Sequence, residues 1–377
     1  MAWTVLLLGA YGLFGSRIAG RLAREQGWRL LLAGRDARRA AAVAATLQDD
    51  SRTRAELHGL AVDAHTPDFS RVLQQHRPDL VINCAGPFQG QDYTVARWCI
   101  EAGAHYVDLA DGRDYVGGFG AALDALARQH ERLAVTGASS VPGLSGAVVD
   151  AHRAAFASLD AIDIGISPGN RTERGLATVA AILSYVGKPL PWRRNGAPMP
   201  VFGWQRLQRR RYADPVGARW LAACDVPDLD LFPARYGLKA LSFRAGLELK
   251  GLHFGLWLLS WLARAGVLRN LPSHATALKR ASEWFLRAGT DSGAMHVELS
   301  GLNSSGNPHR VHWEIIAADG DGPQIPATAS VVIAGKLARG ELGTRGAIPC
   351  LDLFTLDECL ASLAGYAIRT HTRSEPH

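Results

Sequence analysis

The residues best suited to chemistry stand almost at the start of the chain. In "TVLLLGAYGLFGSRIAGRLAR" an apolar run passes straight into Gly9, Gly12 and Gly15, and then into a stretch with helical spacing. Glycines spaced in this way between a strand and a helix form a device for holding a diphosphate. Gly9 permits the tight turn, Gly12 lets a pyrophosphate approach bare backbone, and Gly15 lets the helix pack close to the sheet. Free N–H groups at the helix start then face the phosphate. The spacing is GxxGxxG, a variant of the commoner GxGxxG. Its force comes from its place at the first strand–helix junction; the competing reading is a glycine-rich turn without a ligand.

Later strand ends carry the other candidate residues. "LLLAGRD" ends in Ala33 and Gly34, followed by Arg35. An acid near this point usually meets a free ribose 2′-hydroxyl, whereas small residues and an arginine suit a 2′-phosphate. NADP is therefore read over NAD, with Asp36, one residue on, keeping NAD as the alternative. "GLAVDAH" places Asp63 where it could accept from an adenine amine, or simply cap a helix. "DLVINCAGPFQG" would carry Cys84, Ala85, Gly86 and Pro87 past the nicotinamide ribose. Cys84 has no adjacent base, so it reads as a small buried residue and not as a nucleophile. "YVDLADGRDYV" sets Asp108, Asp111, Arg113 and Asp114 after a strand, where one acid could position a proton or an amine. A loop ion pair with a helix cap is the plainer account of each.

Other chemistries find little support. A short-chain reductase needs Tyr-x-x-x-Lys, but Tyr185 and Lys188 are three apart, as are Tyr236 and Lys239. His309 and His312 lie in an expected strand, where positions three apart face opposite sides, so no metal site is read there. Arg171 and Arg174 in "SPGNRTERG" either anchor a substrate or sit on a solvated turn. "RLQRRRY" reads as a solvated loop or hairpin face. The formal net charge of +6 suits anionic partners, but is too small to indicate nucleic acid.

These residues need a scaffold. The chain has 377 residues, enough for two domains, and 47% hydrophobic with 20% charged residues is the composition of a packed protein. Up to about residue 145, short apolar strands (Val5–Leu8, Arg29–Leu32, Leu60–Asp63, Leu80–Asn83, His105–Leu109, Leu133–Thr136) alternate with helical patterns at Ser16–Glu25, Arg38–Leu47, Thr94–Ala102 and Ala121–His130. That rhythm predicts α/β architecture, with a doubly wound parallel sheet covered by helices. Beyond it, "LDAIDIGIS" reads as a strand and "GLATVAAILSYVG" as a helix, and "AMHVELSGL" and "RVHWEIIAA" form a hairpin across "NSSGNP". The expected division is a nucleotide-binding domain at 1–155, an α+β domain with a mixed sheet at 156–323, and helices at 324–377 returning to the first domain, with a loose tail "RTHTRSEPH".

"FGLWLLSWLA" (254–263) is too short to span a bilayer, which takes ~20 residues. It reads first as a buried helix. Second, with Trp257 and Trp261 one turn apart, 252–268 reads as an interfacial helix in peripheral membrane contact. Five cysteines without a CxxC pair suggest a reducing, cytoplasmic setting, and the glycine-broken N-terminus does not read as a signal peptide.

With these residues in hand, the chain resembles the saccharopine dehydrogenase family. "GAYGLFG", "LAGRD", "VINCAGPFQG", "CIEAGAHYVDLAD" and "GASSVPGLSG" follow in that family's order and spacing over about residues 4–150. The resemblance implies a Rossmann domain, a second domain with a mixed sheet, an NAD(P)H cleft between them and hydride transfer, typically at a carbon–nitrogen bond. It assigns the turn to Gly9, Tyr11, Gly12, Leu13 and Phe14, the 2′-phosphate to Arg35, and the nicotinamide side to Ala85, Gly86, Pro87 and Asp108. Arg171 and Arg174 flank the turn where the family holds amino-acid substrates. An NADP-dependent oxidoreductase acting on a C=N, C=O or C=C bond of a small or lipid-like substrate is the leading reading, and a homodimer is expected. A dinucleotide-binding protein without turnover, docking on a membrane or partner, is the alternative.

Overall fold

A computed structural model describes residues 2–376. The chain divides into two compact units, Met1–Leu144 with Pro323–Ser362, and Ser145–Gly322 with Leu363–His377.

In the first unit, strands and helices alternate: β1 (Trp3–Leu8), α1 (Leu13–Leu22), β2 (Trp28–Gly34), α2 (Ala37–Gln48), β3 (Glu56–Ala61), α3 (Asp68–His76), β4 (Leu80–Asn83), α4 (Thr94–Glu101), β5 (His105–Asp108), α5 (Arg113–Gln129) and β6 (Leu133–Thr136). All of these strands but β3 are largely buried on both faces, as a helix-covered parallel sheet requires. Beside the helix α3, which the sequence reading lacks, and shifts of up to three residues at other element ends, two elements differ from that reading. β3 lies at Glu56–Ala61 and not at Leu60–Asp63, because it forms the edge of the sheet and needs only Leu57 and Leu60 half-buried. α5 begins at Arg113, eight residues before the expected Ala121, because Tyr115, Val116, Phe119 and Leu123 bury one continuous face through the glycines between them.

The second unit opens with α6 (Ser145–His152), β7 (Ser158–Ser167), α7 (Leu176–Tyr185) and the strands β8 (Pro189–Arg194), β9 (Ala197–Phe202), β10 (Gln208–Arg211) and β11 (Ala218–Ala223). It continues through α8 (Asp228–Tyr236), β12 (Ala240–Ala245), α9 (Lys250–Arg264), α10 (Ala275–Glu283), β13 (Gly293–Leu302) and β14 (Pro308–Ala317). The chain then returns to the first unit with α11 (Gln324–Ala338), β15 (Gly346–Pro349) and α12 (Leu356–Ser362), before β16 (Ile368–Pro376).

The first sheet is parallel with strand order β15-β6-β5-β4-β1-β2-β3. Its switch point falls at β1, which is flanked by β2 on one side and β4 on the other. The second sheet is mixed, in the order β10-β11-β12-β7-β13-β14-β16. β7 pairs parallel with β12 and antiparallel with β13.

Two further expectations are corrected here. The tail is not loose: Ile368–Pro376 pairs antiparallel with β14 from Ala317 to His309, giving that strand a partner for its free edge. The Trp-rich helix α9 is not buried. Its buried residues are His253 and Ser260, while Leu258, Trp261 and Leu262 stand exposed. α11 and α12 are held in the first unit by apolar burial on α11 and by one buried cation. Arg21 of α1 donates to Thr328 Oγ1 (2.8 Å), to the Gln324 carbonyl (3.3 Å) and to the Ser362 carbonyl (2.8 Å).

Candidate dinucleotide site

The turn after β1 is drawn tight against the sheet. Gly9 has φ +76°, in the left-handed region that favours glycine. Its N–H and that of Ala10 both donate to the Ala33 carbonyl on β2 (2.9 and 3.1 Å), and the Gly12 N–H donates back to the Gly9 carbonyl (2.8 Å). A Cβ on Gly9 would come within 3.1 Å of the Cys84 carbonyl group, and one on Gly15 would sit 2.2 Å from the Gly9 oxygen. Here the helix meets the turn with no room for a side chain. Gly12, exposed, is the N-cap of α1, with no side-chain cap and no acid in the first turn. An uncapped helix start with an exposed glycine in front of it fits an anionic diphosphate. Leu13 and Phe14 follow, half-buried.

The end of β2 receives Tyr11. A Cβ on Gly34 would strike the Tyr11 ring at 2.3 Å, so the glycine is the ring's seat. The Tyr11 hydroxyl accepts from the Asp36 N–H (3.1 Å), and the Arg39 guanidinium lies 4.3 Å from the ring centroid. Arg35, Arg38 and Arg39 are all exposed. Asp36, the residue that kept NAD open, is turned to its own helix: its carboxylate caps α2 by accepting from Arg38 N–H (2.9 Å) and Arg39 N–H (3.1 Å). Sequence reasoning singled out Arg35 and passed over Arg38 and Arg39. The signal for them was the i, i+3, i+4 run in "RDARR".

The end of β4 faces the turn across the switch point. Asn83 Oδ1 accepts from the Ala85 N–H (3.0 Å), and its amide donates to the Tyr106 hydroxyl (3.1 Å), fixing the backbone through Cys84, Ala85 and Gly86. Pro87 is exposed, and its carbonyl accepts from Gln91. Burial pushes the Cys84 thiol far above its ordinary range, so the thiol stays protonated. Asp63 is half-buried and accepts from the His65 N–H (3.0 Å), a local turn that joins it to none of the other candidates.

Asp108 takes a role different from the one expected. It is fully buried, and one carboxylate oxygen accepts from Thr136 Oγ1 (2.8 Å), Gly137 N–H (2.9 Å) and Ala110 N–H (3.0 Å). It braces the ends of β5 and β6 and offers no surface to a ligand. Burial raises its pKa to about 6 against the pull of these hydrogen bonds. Asp111, by contrast, is half-buried at the same edge. Gln89 donates to it (3.0 Å), and burial raises its pKa above the ordinary carboxylate value.

Arg171 and Arg174 lie in the second unit and part company. Arg171 is exposed, with a long contact to the Arg287 carbonyl (3.4 Å). Arg174 is half-buried, donates to Asn170 Oδ1 (2.9 Å) and lines a cavity. His312 meets Glu298 and Glu314, whereas His309 meets Phe156 and Ser374. Among the described residues, no group of three or more His, Cys, Asp or Glu could hold a metal ion.

The sequence did not disclose a polar face on the second sheet. Register aligns Ser242, Asp163, Glu298 and His312 across β12, β7, β13 and β14, with Arg244, His296 and Glu314 beside them. Arg210 joins Glu298 at 2.9 Å, and Arg244 and Ser242 bond Asp163. Burial pushes the Asp163 carboxyl up, but its His296, Arg244 and Ser242 partners outweigh it and hold the group at about 2.

The buried brace has a pH signature. Asp108 keeps its proton to a higher pH folded than unfolded, so wild-type stability should fall by about 3 kcal/mol as pH rises from about 4 to about 6. Asp108→Asn preserves the acceptor and removes the charge, and denaturant titrations across that window should lose this decline. Superimposable curves for the two proteins would show that Asp108 titrates as an ordinary carboxylate.

Comparison with known proteins agrees with this geometry. Residues 5–140 match the family described as Saccharopine dehydrogenase NADP binding domain. No curated protein matches the chain. Among solved structures, apo saccharopine dehydrogenase (L-Glu forming) from Saccharomyces cerevisiae is similar at TM-score 0.68 and 12% identity, covering 99% of this chain and 100% of that one. An engineered D-amino acid dehydrogenase bound to NADP+ reaches TM-score 0.49 at 16% identity, covering 96% and 99%. Amine dehydrogenase from Mycobacterium smegmatis reaches 0.48 at 12%, covering 95% and 96%. With a glycine turn that excludes any side chain and arginines at the end of β2 inside the matched residues, 5–140 form a saccharopine dehydrogenase-type NADP-binding domain, in a chain that shares the fold of saccharopine dehydrogenase.

Proposed function

We propose that the protein reduces, or in reverse oxidises, a C=N, C=O or C=C bond of a small or lipid-like substrate, with NADP as the preferred cofactor. One observation carries the cofactor preference. Arg38 and Arg39 occupy the first turn of α2, where the helix macrodipole is positive and cations are disfavoured. Their neighbour Asp36 is committed to the cap. An anion held among Arg35, Arg38 and Arg39 offsets that repulsion, and a ribose 2′-phosphate is such an anion. Gly9, Gly12 and Gly15 with the start of α1 hold the diphosphate, and Ala85, Gly86 and Pro87 form the wall on the β4 side. Bound there, the cofactor supplies a hydride to a polarised double bond. Asp111, whose carboxyl burial shifts upward and Gln89 orients, is the group that hands over the proton the reduced product needs. The free cysteines support a reducing, cytoplasmic compartment.

A second reading concerns where the protein works. No helix of the described residues is long and apolar enough to cross a membrane. Exposed Leu258, Trp261, Leu262 and Val267 instead favour peripheral contact through 252–268.

Three measurements test these readings. Arg35→Ala should weaken NADPH binding at least ~10-fold more than NADH binding, since only NADPH has the extra phosphate. Arg38→Glu should erase the preference while stabilising the cofactor-free protein by about 0.3–1 kcal/mol; equal losses for the two cofactors would reject the 2′-phosphate assignment. In NADPH oxidation with an imine, ketone and enone panel, Asp111→Asn should lower turnover at least ~10-fold and remove the fall of rate with rising pH; an unchanged pH profile excludes Asp111 as the proton holder. Finally, Trp261→Glu should abolish co-sedimentation with phosphatidylcholine vesicles, and equal pelleting of variant and wild type would end the membrane reading.

A further inference from the structure

We propose that the second unit carries a binding groove for a single-chain amphiphile with an anionic head, such as a fatty carboxylate, formed by α7, α9, α10 and Arg174. It does not depend on the hydride-transfer reading. The groove has a volume of about 310 Å³. Its walls are Ile182 and Leu183 from α7, Leu256 and Leu259 from α9, Leu278 from α10, and Phe285 just beyond. Small-molecule sites run from roughly 300 to 1,000 Å³, so this one has room for one alkyl chain and not for a two-chain lipid.

Two glycines indicate that the space is kept open. Gly251 and Gly255 line the groove one turn apart on α9. Glycine is the poorest helix former after proline. Neither residue has a positive φ, and a Cβ on either would meet nothing within 4 Å. Backbone conformation therefore does not call for glycine here, and neither does packing. What the two positions share is a view into the groove, where any larger side chain would occupy the volume.

The same helix face continues outward as apolar surface. Leu258 and Leu262 follow Gly251 and Gly255 by seven residues each, and so lie in line with them. They are 56% and 39% exposed, and Phe285, itself a wall residue, is 48% exposed. A chain entering from water or from a bilayer thus meets a hydrophobic lip before the groove.

Arg174 determines the head group. It is the one charged residue lining the groove. Its Nη2 donates to the neutral Asn170 Oδ1, and its Nε is buried without a hydrogen bond. Asn170 is itself fixed, donating to the Phe285 and Ala288 carbonyls (2.6 and 2.9 Å). The nearby carboxylate of Glu248 is committed to Arg219 (3.1 Å), to Thr290 and to the Asn170 N–H (2.7 Å). A half-buried guanidinium with spare donors beside an alkyl-sized groove is the complement of a carboxylate on a chain.

The test is calorimetry on the full chain with dodecanoate below its micellar concentration, alongside dodecan-1-ol, acetate and phosphatidylcholine vesicles. Dodecanoate should bind saturably at one site, and acetate should not bind. Gly255→Phe fills the groove and should weaken dodecanoate at least ~10-fold, with NADPH affinity unchanged as the check that the fold is intact; Gly255→Ala should have a smaller effect. Arg174→Gln should weaken dodecanoate at least ~10-fold and dodecan-1-ol less than ~2-fold. Absence of saturable dodecanoate binding would overturn the proposal. So would an undiminished affinity in Gly255→Phe with NADPH binding intact, or equal losses of acid and alcohol in Arg174→Gln. Binding of vesicles alone, equal in wild type and Gly255→Phe, would also overturn it, by assigning the surface to a membrane and leaving the groove empty.

Discussion

The nucleotide-binding unit depends on a contact that leaves no space. The Gly9 carbonyl stands where a Cβ of Gly15 would be, at 2.2 Å. That approach ties the first turn of α1 to the end of β1. Two N–H groups of the same turn are tied to Ala33 on β2, and Gly9 rests on the Cys84 carbonyl group at the end of β4. Three strand ends thereby converge on one stretch of bare main chain, at the point where the sheet reverses direction. In open α/β sheets this is where ligands bind, because diverging loops leave a crevice there.

Charge around that crevice is arranged by competition for partners. Asp36 could have faced a ribose hydroxyl, but the uncapped N–H groups of Arg38 and Arg39 are nearer and claim it. The arginines beside it are then left at the positive end of a helix dipole, a placement that an anion makes favourable. Asp108 shows the reverse case. Its three donors lie within the protein and hold it at the ends of β5 and β6, so an acid at the right strand end serves the scaffold, while Asp111, three residues on, is half-buried and takes its hydrogen bond from Gln89.

The second unit departs from two ordinary patterns. In an antiparallel sheet with one covered face, polar residues normally alternate outward into water. Here Asp163, His296, Glu298 and Glu314 share one face yet remain largely buried, Asp163 paired with Arg244, Glu298 with Arg210, and Glu314 with His312. In an amphipathic helix the leucines normally turn inward. α9 does so only in part: it turns His253 and Ser260 inward beside Leu256, Leu259 and Ala263, and leaves Leu258, Trp261 and Leu262 outside. His253 meets the Trp204 ring edge-on and accepts from the Leu247 N–H, so its polar edge is partly satisfied in place.

The sequence by itself determined the first sheet and its glycine turn, because buried parallel strands read as short apolar runs and because a side chain at Gly15 is sterically excluded. β4 and β6 fall on the residues expected of them. It could not determine which way an acid turns. Asp36, Asp108 and Asp111 look alike in a string of letters, and they differ only in the donors that tertiary structure brings within reach. Nor could it reveal the edge pairing of β16, whose partner in β14 lies about sixty residues earlier in the chain. The outward face of α9 was equally hidden, since an apolar run without a clear stripe is compatible with either orientation. Only the packing of α7 and α10 against it decided which of its residues became groove wall and which stayed exposed.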